Sequence, residues 1–134
     1  MALLHDVIEI DAGDTYAYDA KAKESQKERE LIAADRIFSL LPEDQEKKMR
    51  AIWDEFEAQE TKEAKFARTM DHIQPLMLNA LAGGKSWIEH GVKESQILKR
   101  NECTAEGSEV LWEYARAQYL DPNVKNGIIK REDT

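Results

Sequence analysis

Apolar residues recur at three- and four-residue steps along most of the chain, and this period limits the possible fold more than any other feature. In the segment from about residue 21 to 40 the stripe consists of Leu31, Ala34, Ile37, Phe38 and Leu41. A second stripe, after Pro42, consists of Met49, Ile52, Trp53 and Phe56. This spacing places the apolar side chains on one face of a helix. No segment alternates apolar and polar residues with β-branched enrichment, as a half-buried strand would. The sequence therefore predicts an all-α protein.

Turn-forming residues divide this pattern into helices. We predict helices over about 2–10, 21–40, 62–81 and 108–120, another beginning at Pro42, short helical turns near 87–90 and 95–100, and a loop over 14–18. Thr61 is predicted to cap the helix over 62–81, and Gly83–Gly84 to end it. Pro75 is expected to kink or locally unwind that helix, because proline lacks an N–H group. Asp121–Pro122 is expected to end or bend the last helix.

Length and composition narrow the class of protein. With 134 residues the chain is predicted to form a single domain over 1–134. A single cysteine, Cys103, rules out an internal disulfide framework and is typical of a reducing compartment, so we expect a cytoplasmic protein. There is no apolar run long enough for a membrane span. The net charge of −8 argues against binding of a nucleic acid polymer, which needs clustered Lys and Arg.

The pair His5–Asp6 opens the candidate functional segment. A helix advances by about 100° per residue, so His5, Asp6 and Glu9 fall on one arc, flanked by apolar residues. Imidazole and carboxylate groups suit several divalent metals, and charged groups beside apolar surface are costly to bury unless something binds them. The alternative is a solvent-facing acidic helix end with an incidental histidine. By itself the dipeptide favours that alternative.

Three ordered blocks extend the pattern. The first is His5-Asp6-x-x-Glu9-x-x-x-Gly13-Asp14; the second is Leu40-Leu41-Pro42 with Ile52-Trp53-Asp54-Glu55-Phe56-Glu57; the third runs from Glu63 through Asp71 to Pro75. A later run, Trp87-x-x-His90-Gly91-Val92, adds to them. In these blocks the chain resembles the HD-domain metal-dependent phosphohydrolases, in particular the 5'-deoxynucleotidase-like branch. The resemblance covers nearly the whole chain and implies an HD-domain-like bundle of about five to six helices.

The resemblance also implies a site. His5, Asp6 and Asp71 match three protein ligands of the family's single divalent metal ion, which could be Mn, Co, Mg or Zn. Glu9 matches the carboxylate that handles the proton of the attacking water, and Asp14 matches a second acidic residue near the scissile phosphate. No further cofactor is expected. The implied reaction is hydrolysis of a phosphate monoester, with a (deoxy)nucleoside 5'-monophosphate as the substrate class.

One departure leaves the enzymatic activity open. Family members carry a further metal-binding histidine well before the His-Asp pair, whereas here only four residues precede His5, and neither His72 nor His90 fits its place in the pattern. The sequence thus resembles a member truncated at its N-terminus, in which a metal would be held more weakly and apolar surface would be uncovered. We expect a homodimer to cover that surface. Three interpretations remain: a working enzyme, towards which the resemblance leans; a weak or inactive domain that serves as an oligomeric or binding module; and a chain that begins at an internal methionine of a longer protein.

Overall fold

The structure, a computed structural model, describes residues 1–14, 20–23 and 25–132. Within them the regular elements are all helical, which confirms the all-α class. The helices are α1 (Glu9–Ala12), α2 (Ala20–Lys23), α3 (Gln26–Phe38), α4 (Glu43–Ala58), α5 (Lys62–Leu81), α6 (Lys85–Glu89), α7 (Glu94–Arg100), α8 (Thr104–Gly107), α9 (Glu109–Ala115) and α10 (Asp121–Lys125), with a π-helical segment (Arg116–Leu120) between the last two. All but Asp14 of the predicted loop over 14–18 lies outside the described residues.

The chain divides into two compact units, Met1–Ala64 and Lys65–Thr134. The single domain over 1–134 therefore stays a prediction. No helix in the described ranges has both the length and the apolar content needed to cross a bilayer.

In the first unit, α3 contacts α1, α2 and α4. The apolar core of this unit is formed by Ile8, Ala33, Ala34, Phe38 and Trp53, with Ala12 and Met49 packed against it. Of the predicted α3 stripe, Ala34 and Phe38 are buried, whereas Leu31 is 41% exposed and the neighbouring Ala33 takes part in the core instead. Small alanine side chains let the other elements approach α3 closely, which explains why a core forms around two of them.

The predicted helix over 2–10 is only partly regular. Residues 2–8 form successive turns, with bonds such as His5 N–H to Met1 O (3.0 Å) and Val7 N–H to Leu4 O (3.2 Å). An α-helix begins only at Glu9 and ends at Ala12, before Gly13, whose φ of 75° breaks the helical path. The prediction was therefore wrong about regularity over residues 2–8.

Helix α5 is the longest element, and its predicted ends are confirmed. Thr61 Oγ1 accepts a hydrogen bond from Ala64 N–H (3.2 Å), and Gly83 and Gly84 follow the helix with φ of 71° and 70°. The helix continues through Pro75, so the expected local unwinding does not occur. Phe66 and Met70 are apolar and four residues apart on α5, yet they are 47% and 45% exposed, because α5 buries Ala64, Thr69 and Leu76 on another face.

In the second unit a chain of buried polar groups joins α5 to the segment around α8. Thr69 Oγ1 donates to Thr104 O (2.7 Å), Thr104 Oγ1 donates to Asn101 Oδ1 (2.9 Å), and Asn101 Nδ2 donates to Ile97 O (2.9 Å). All three polar side chains are at most 2% exposed. Buried polar groups without partners are costly, so this complete network stabilises the unit.

The end of the last predicted helix differs from the expectation. The helical path does not stop at Asp121–Pro122. Helix α10 starts at Asp121, directly after the π-helical segment, and has Pro122 in its first turn. Pro122 has no N–H to continue the regular i to i−4 pattern. The turn before it widens into the π-helical segment, in which Asp121 N–H bonds to Arg116 O.

Candidate metal centre

His5 lies in the irregular turns at the N-terminus of the first unit, with its side chain 12% exposed. Its Nδ1 lies 2.7 Å from the main-chain oxygen of Ala2, and its ring packs against Phe56 with centroids 4.7 Å apart. A carbonyl oxygen can only accept, so this hydrogen bond assigns a proton to Nδ1. With Nδ1 bonded to Ala2, the other ring nitrogen, Nε2, faces Asp6.

Nε2 of His5 lies 3.1 Å from Oδ1 of Asp6. Two acceptor atoms at this distance repel each other unless a positive charge lies between them, either a proton on Nε2 or a metal ion. Two neighbouring ligands of an octahedral divalent cation, each about 2.1 Å from it, would be separated by about 3.0 Å. The spacing of the pair is compatible with two neighbouring ligands as well as with a hydrogen bond, and the Ala2 carbonyl holds the imidazole in place, as groups bonded to a metal-binding histidine do.

Asp71 lies on α5 and is half-buried. Asp71 stays the predicted third ligand, in addition to His5 and Asp6 of the first unit. One imidazole and two carboxylates suit several divalent cations, so the donor set fits the metal that the sequence predicts.

Glu9 follows Asp6 in the next turn and is half-buried. Burial raises the pKa of its carboxyl group to about 7, and the charges of Asp6 and Asp14 and a hydrogen bond with Asp6 act in the same direction, while His5 opposes them. A carboxyl group with such a pKa can take up a proton near neutral pH. Asp14 is exposed, and its charge acts on Glu9.

Two other histidines, His72 and His90, lie in the second unit, and neither was predicted to be a metal ligand. Nδ1 of His72 lies 3.5 Å from Thr104 Oγ1, and Nδ1 of His90 lies 2.9 Å from Ser86 O.

Neither Ala2 nor Phe56 was predicted from the sequence as a partner of His5. Every residue has a main-chain oxygen, so the residue type at position 2 does not predict the contact with Ala2. Phe56 lies inside the second sequence block, which could have indicated it as a neighbour of His5.

Known proteins resemble this chain in sequence and in structure. Residues 1–112 match the family model described as HD domain. The 5'-deoxynucleotidase HDDC2 of Mus musculus is 38% identical over 77 residues, which are 58% of this chain and 39% of that protein. The Xenopus laevis protein of the same name is 36% identical over 81 residues, which are 60% of this chain and 40% of that protein.

A crystal structure of a protein from Magnetospirillum magnetotacticum, titled as a predicted metal-dependent phosphohydrolase, has a TM-score of 0.85 and 42% sequence identity. The similarity covers 95% of this chain and 64% of that one. The matched region thus spans about two fifths of the curated relatives and about two thirds of the solved structure. Because the family model covers most of the sequence and the helical fold is shared, the chain belongs to the HD domain family.

Proposed function

We propose that this chain is a metal-dependent phosphohydrolase that acts on phosphate monoesters, with (deoxy)nucleoside 5'-monophosphates as its substrates. The observation that carries the proposal is the His5–Asp6 pair, with Nε2 and Oδ1 separated by 3.1 Å and the imidazole oriented by Ala2. Asp71 is proposed as the third ligand. The names of the HDDC2 relatives and of the solved structure support the reaction class.

The proposed ligands hold the metal ion, and the acidic residues beside them act on the attacking water. When bound, a divalent cation supplies Lewis acidity, which makes water a better nucleophile and offsets the charge of the phosphate. Glu9 takes the proton of the attacking water, a role that suits a carboxyl group whose pKa is about 7. Asp14 raises the proton affinity of Glu9 through its charge and so acts as a positioning residue.

The alternative is a binding or oligomeric module with little or no turnover. Leu3 and Ile10, on either side of the His5–Asp6 pair in sequence, are 94% and 77% exposed, and exposed apolar surface favours association. A homodimer in the cytoplasm remains our prediction for both readings.

Metal binding is the first test. Titration of Mn²⁺ and Co²⁺ into chelator-treated protein, followed by calorimetry, should show one ion per chain. His5→Ala, Asp6→Asn and Asp71→Ala should each weaken binding at least about tenfold, since even loss of a group behind a ligand costs about 10- to 100-fold. His90→Ala is the matched control and should bind as the wild type does. Equal affinities in all five proteins would refute the proposed ligands.

Turnover is the second test. Release of phosphate from a panel of deoxynucleoside 5'-monophosphates should depend on added metal. Glu9→Gln should retain metal binding and lower kcat by about 10²- to 10⁴-fold, the usual contribution of a general base. Metal binding without phosphate release in the wild type would reject the enzyme and leave the binding module.

A further inference from the structure

A pocket of about 440 Å³ lies beside α10 and the segment that follows it in the second unit. Its lining consists of Val124, Lys125, Gly127, Ile129, Lys130 and Arg131. Three of these six residues are basic, although the whole chain carries a net charge of −8. None of them belongs to the candidate metal centre. We propose that this pocket binds a small phosphate-bearing anion.

The acidic residues nearest in sequence are paired with other cations. Glu132 accepts a hydrogen bond from Ser95 and lies 3.7 Å from Lys93 Nζ, whereas Asp121 lies 4.0 Å from Arg116. Across the described ranges, neither Lys125 nor Lys130 has an ion-pair partner. The charges of Lys125 and Lys130 are therefore not cancelled by Glu132 or Asp121.

Main-chain hydrogen bonds hold the wall of the pocket in place. The N–H groups of Ile128 and Ile129 both donate to Asn123 O, at 2.9 and 3.1 Å. Lys130 is held from both sides, since its N–H donates to Val92 O (3.0 Å) and its carbonyl accepts from Glu94 N–H (2.8 Å). These bonds fix the main chain at Ile129 and Lys130, from which the side chain of Lys130 extends. Such a pocket selects for negative charge.

The size and the donors indicate the class of anion. The volume lies within the range of about 300–1,000 Å³ that is typical of small-molecule sites, so the pocket accepts an anion larger than a simple inorganic ion. The ammonium groups of Lys125 and Lys130 bind phosphate as point charges. A phosphate ester or a diphosphate fits both properties.

The test uses the whole chain after treatment with a chelator, so that a bound metal cannot hold the phosphate. Inorganic pyrophosphate and deoxyadenosine 5'-monophosphate are titrated separately at low ionic strength, and amide chemical shifts are followed by ¹H–¹⁵N NMR. The amides of residues 124–131 should shift with saturation. Binding should weaken at physiological salt, where the screening length falls to about 8 Å.

The double variant Lys125→Gln/Lys130→Gln should raise Kd at least about tenfold, because the loss of even one hydrogen bond to a charged group weakens binding by about that factor. Lys48→Gln/Lys62→Gln removes the same charge from two other exposed lysines and should leave Kd unchanged. Equal weakening in the two variants would mean non-specific attraction, and absence of shifts at residues 124–131 would mean no site there. Either result would overturn the proposal, while the metal-binding experiments would be unaffected.

Discussion

Gly107 lies at the end of α8, where the chain approaches α5 closely, and its replacement tests how the second unit is packed. A Cβ atom at this position would lie 2.7 Å from the carbonyl carbon of Lys65 and closer still to the carbonyl oxygen and to Thr69 Oγ1. Carbon atoms in contact are normally about 3.5–4.0 Å apart. Gly107→Ala therefore forces the two segments apart by about 1 Å, against a main-chain group that cannot rotate away.

The cost has two parts. Overpacking a well-packed interior costs about 1–3 kcal/mol. Displacement of Thr69 also breaks its 2.7 Å hydrogen bond to Thr104 O, which contributes about 1 kcal/mol. The free energy of unfolding should fall by about 2–4 kcal/mol, out of a total of about 5–15 kcal/mol for a typical domain. The Tm should fall by roughly 10 °C.

Urea denaturation followed by circular dichroism measures this difference, with calorimetry as a second probe. Gly127→Ala is the matched control, because no atom lies within 4 Å of its added Cβ and only its φ of 74° opposes the change. That strain costs about 1–2 kcal/mol. If Gly107→Ala is no more destabilising than Gly127→Ala, the close approach of α8 to α5 is not a feature of the folded protein.

Two further predictions concern the first unit. Thr61→Ala should lower the free energy of unfolding by about 1 kcal/mol, since it removes the cap on Ala64 N–H, and Thr61→Ser should restore most of it in the same urea assay. Asp11 accepts two hydrogen bonds from Arg36, which hold the pKa of its carboxyl group below the usual value. The stabilisation is therefore present above the unfolded-state pKa of about 3.9 and is lost as pH falls through the folded-state pKa. Asp11→Asn should lower Tm at pH 7 and match the wild type in acid; a constant difference at both pH values, or an equal loss in Asp44→Asn, would contradict this origin.

The sequence predicted the positions of the helices more reliably than the burial of their residues. Helical spacing and local end signals are properties of neighbouring residues, which is why the all-α class, the Thr61 cap and the glycine end of α5 are confirmed. Burial depends on which elements pack together, and residue spacing alone does not contain that information. Phe66 and Met70 lie on an apolar stripe and are nevertheless about half exposed.

At the candidate site, too, the residue types were predictable from the sequence but the local structure was not. The irregular turns over residues 2–8 determine how His5 is oriented. In a regular helix over 2–10 the Ala2 carbonyl would accept from Asp6 N–H. In the turns observed instead, no main-chain hydrogen bond within residues 1–14 ends on that oxygen, and the imidazole of His5 bonds to it at 2.7 Å. The irregular turns thus release an acceptor that fixes the proton on Nδ1 and turns Nε2 towards Asp6. The helix prediction was therefore wrong at the same residues that orient His5. In a regular helix the Ala2 carbonyl would have been paired with Asp6 N–H instead.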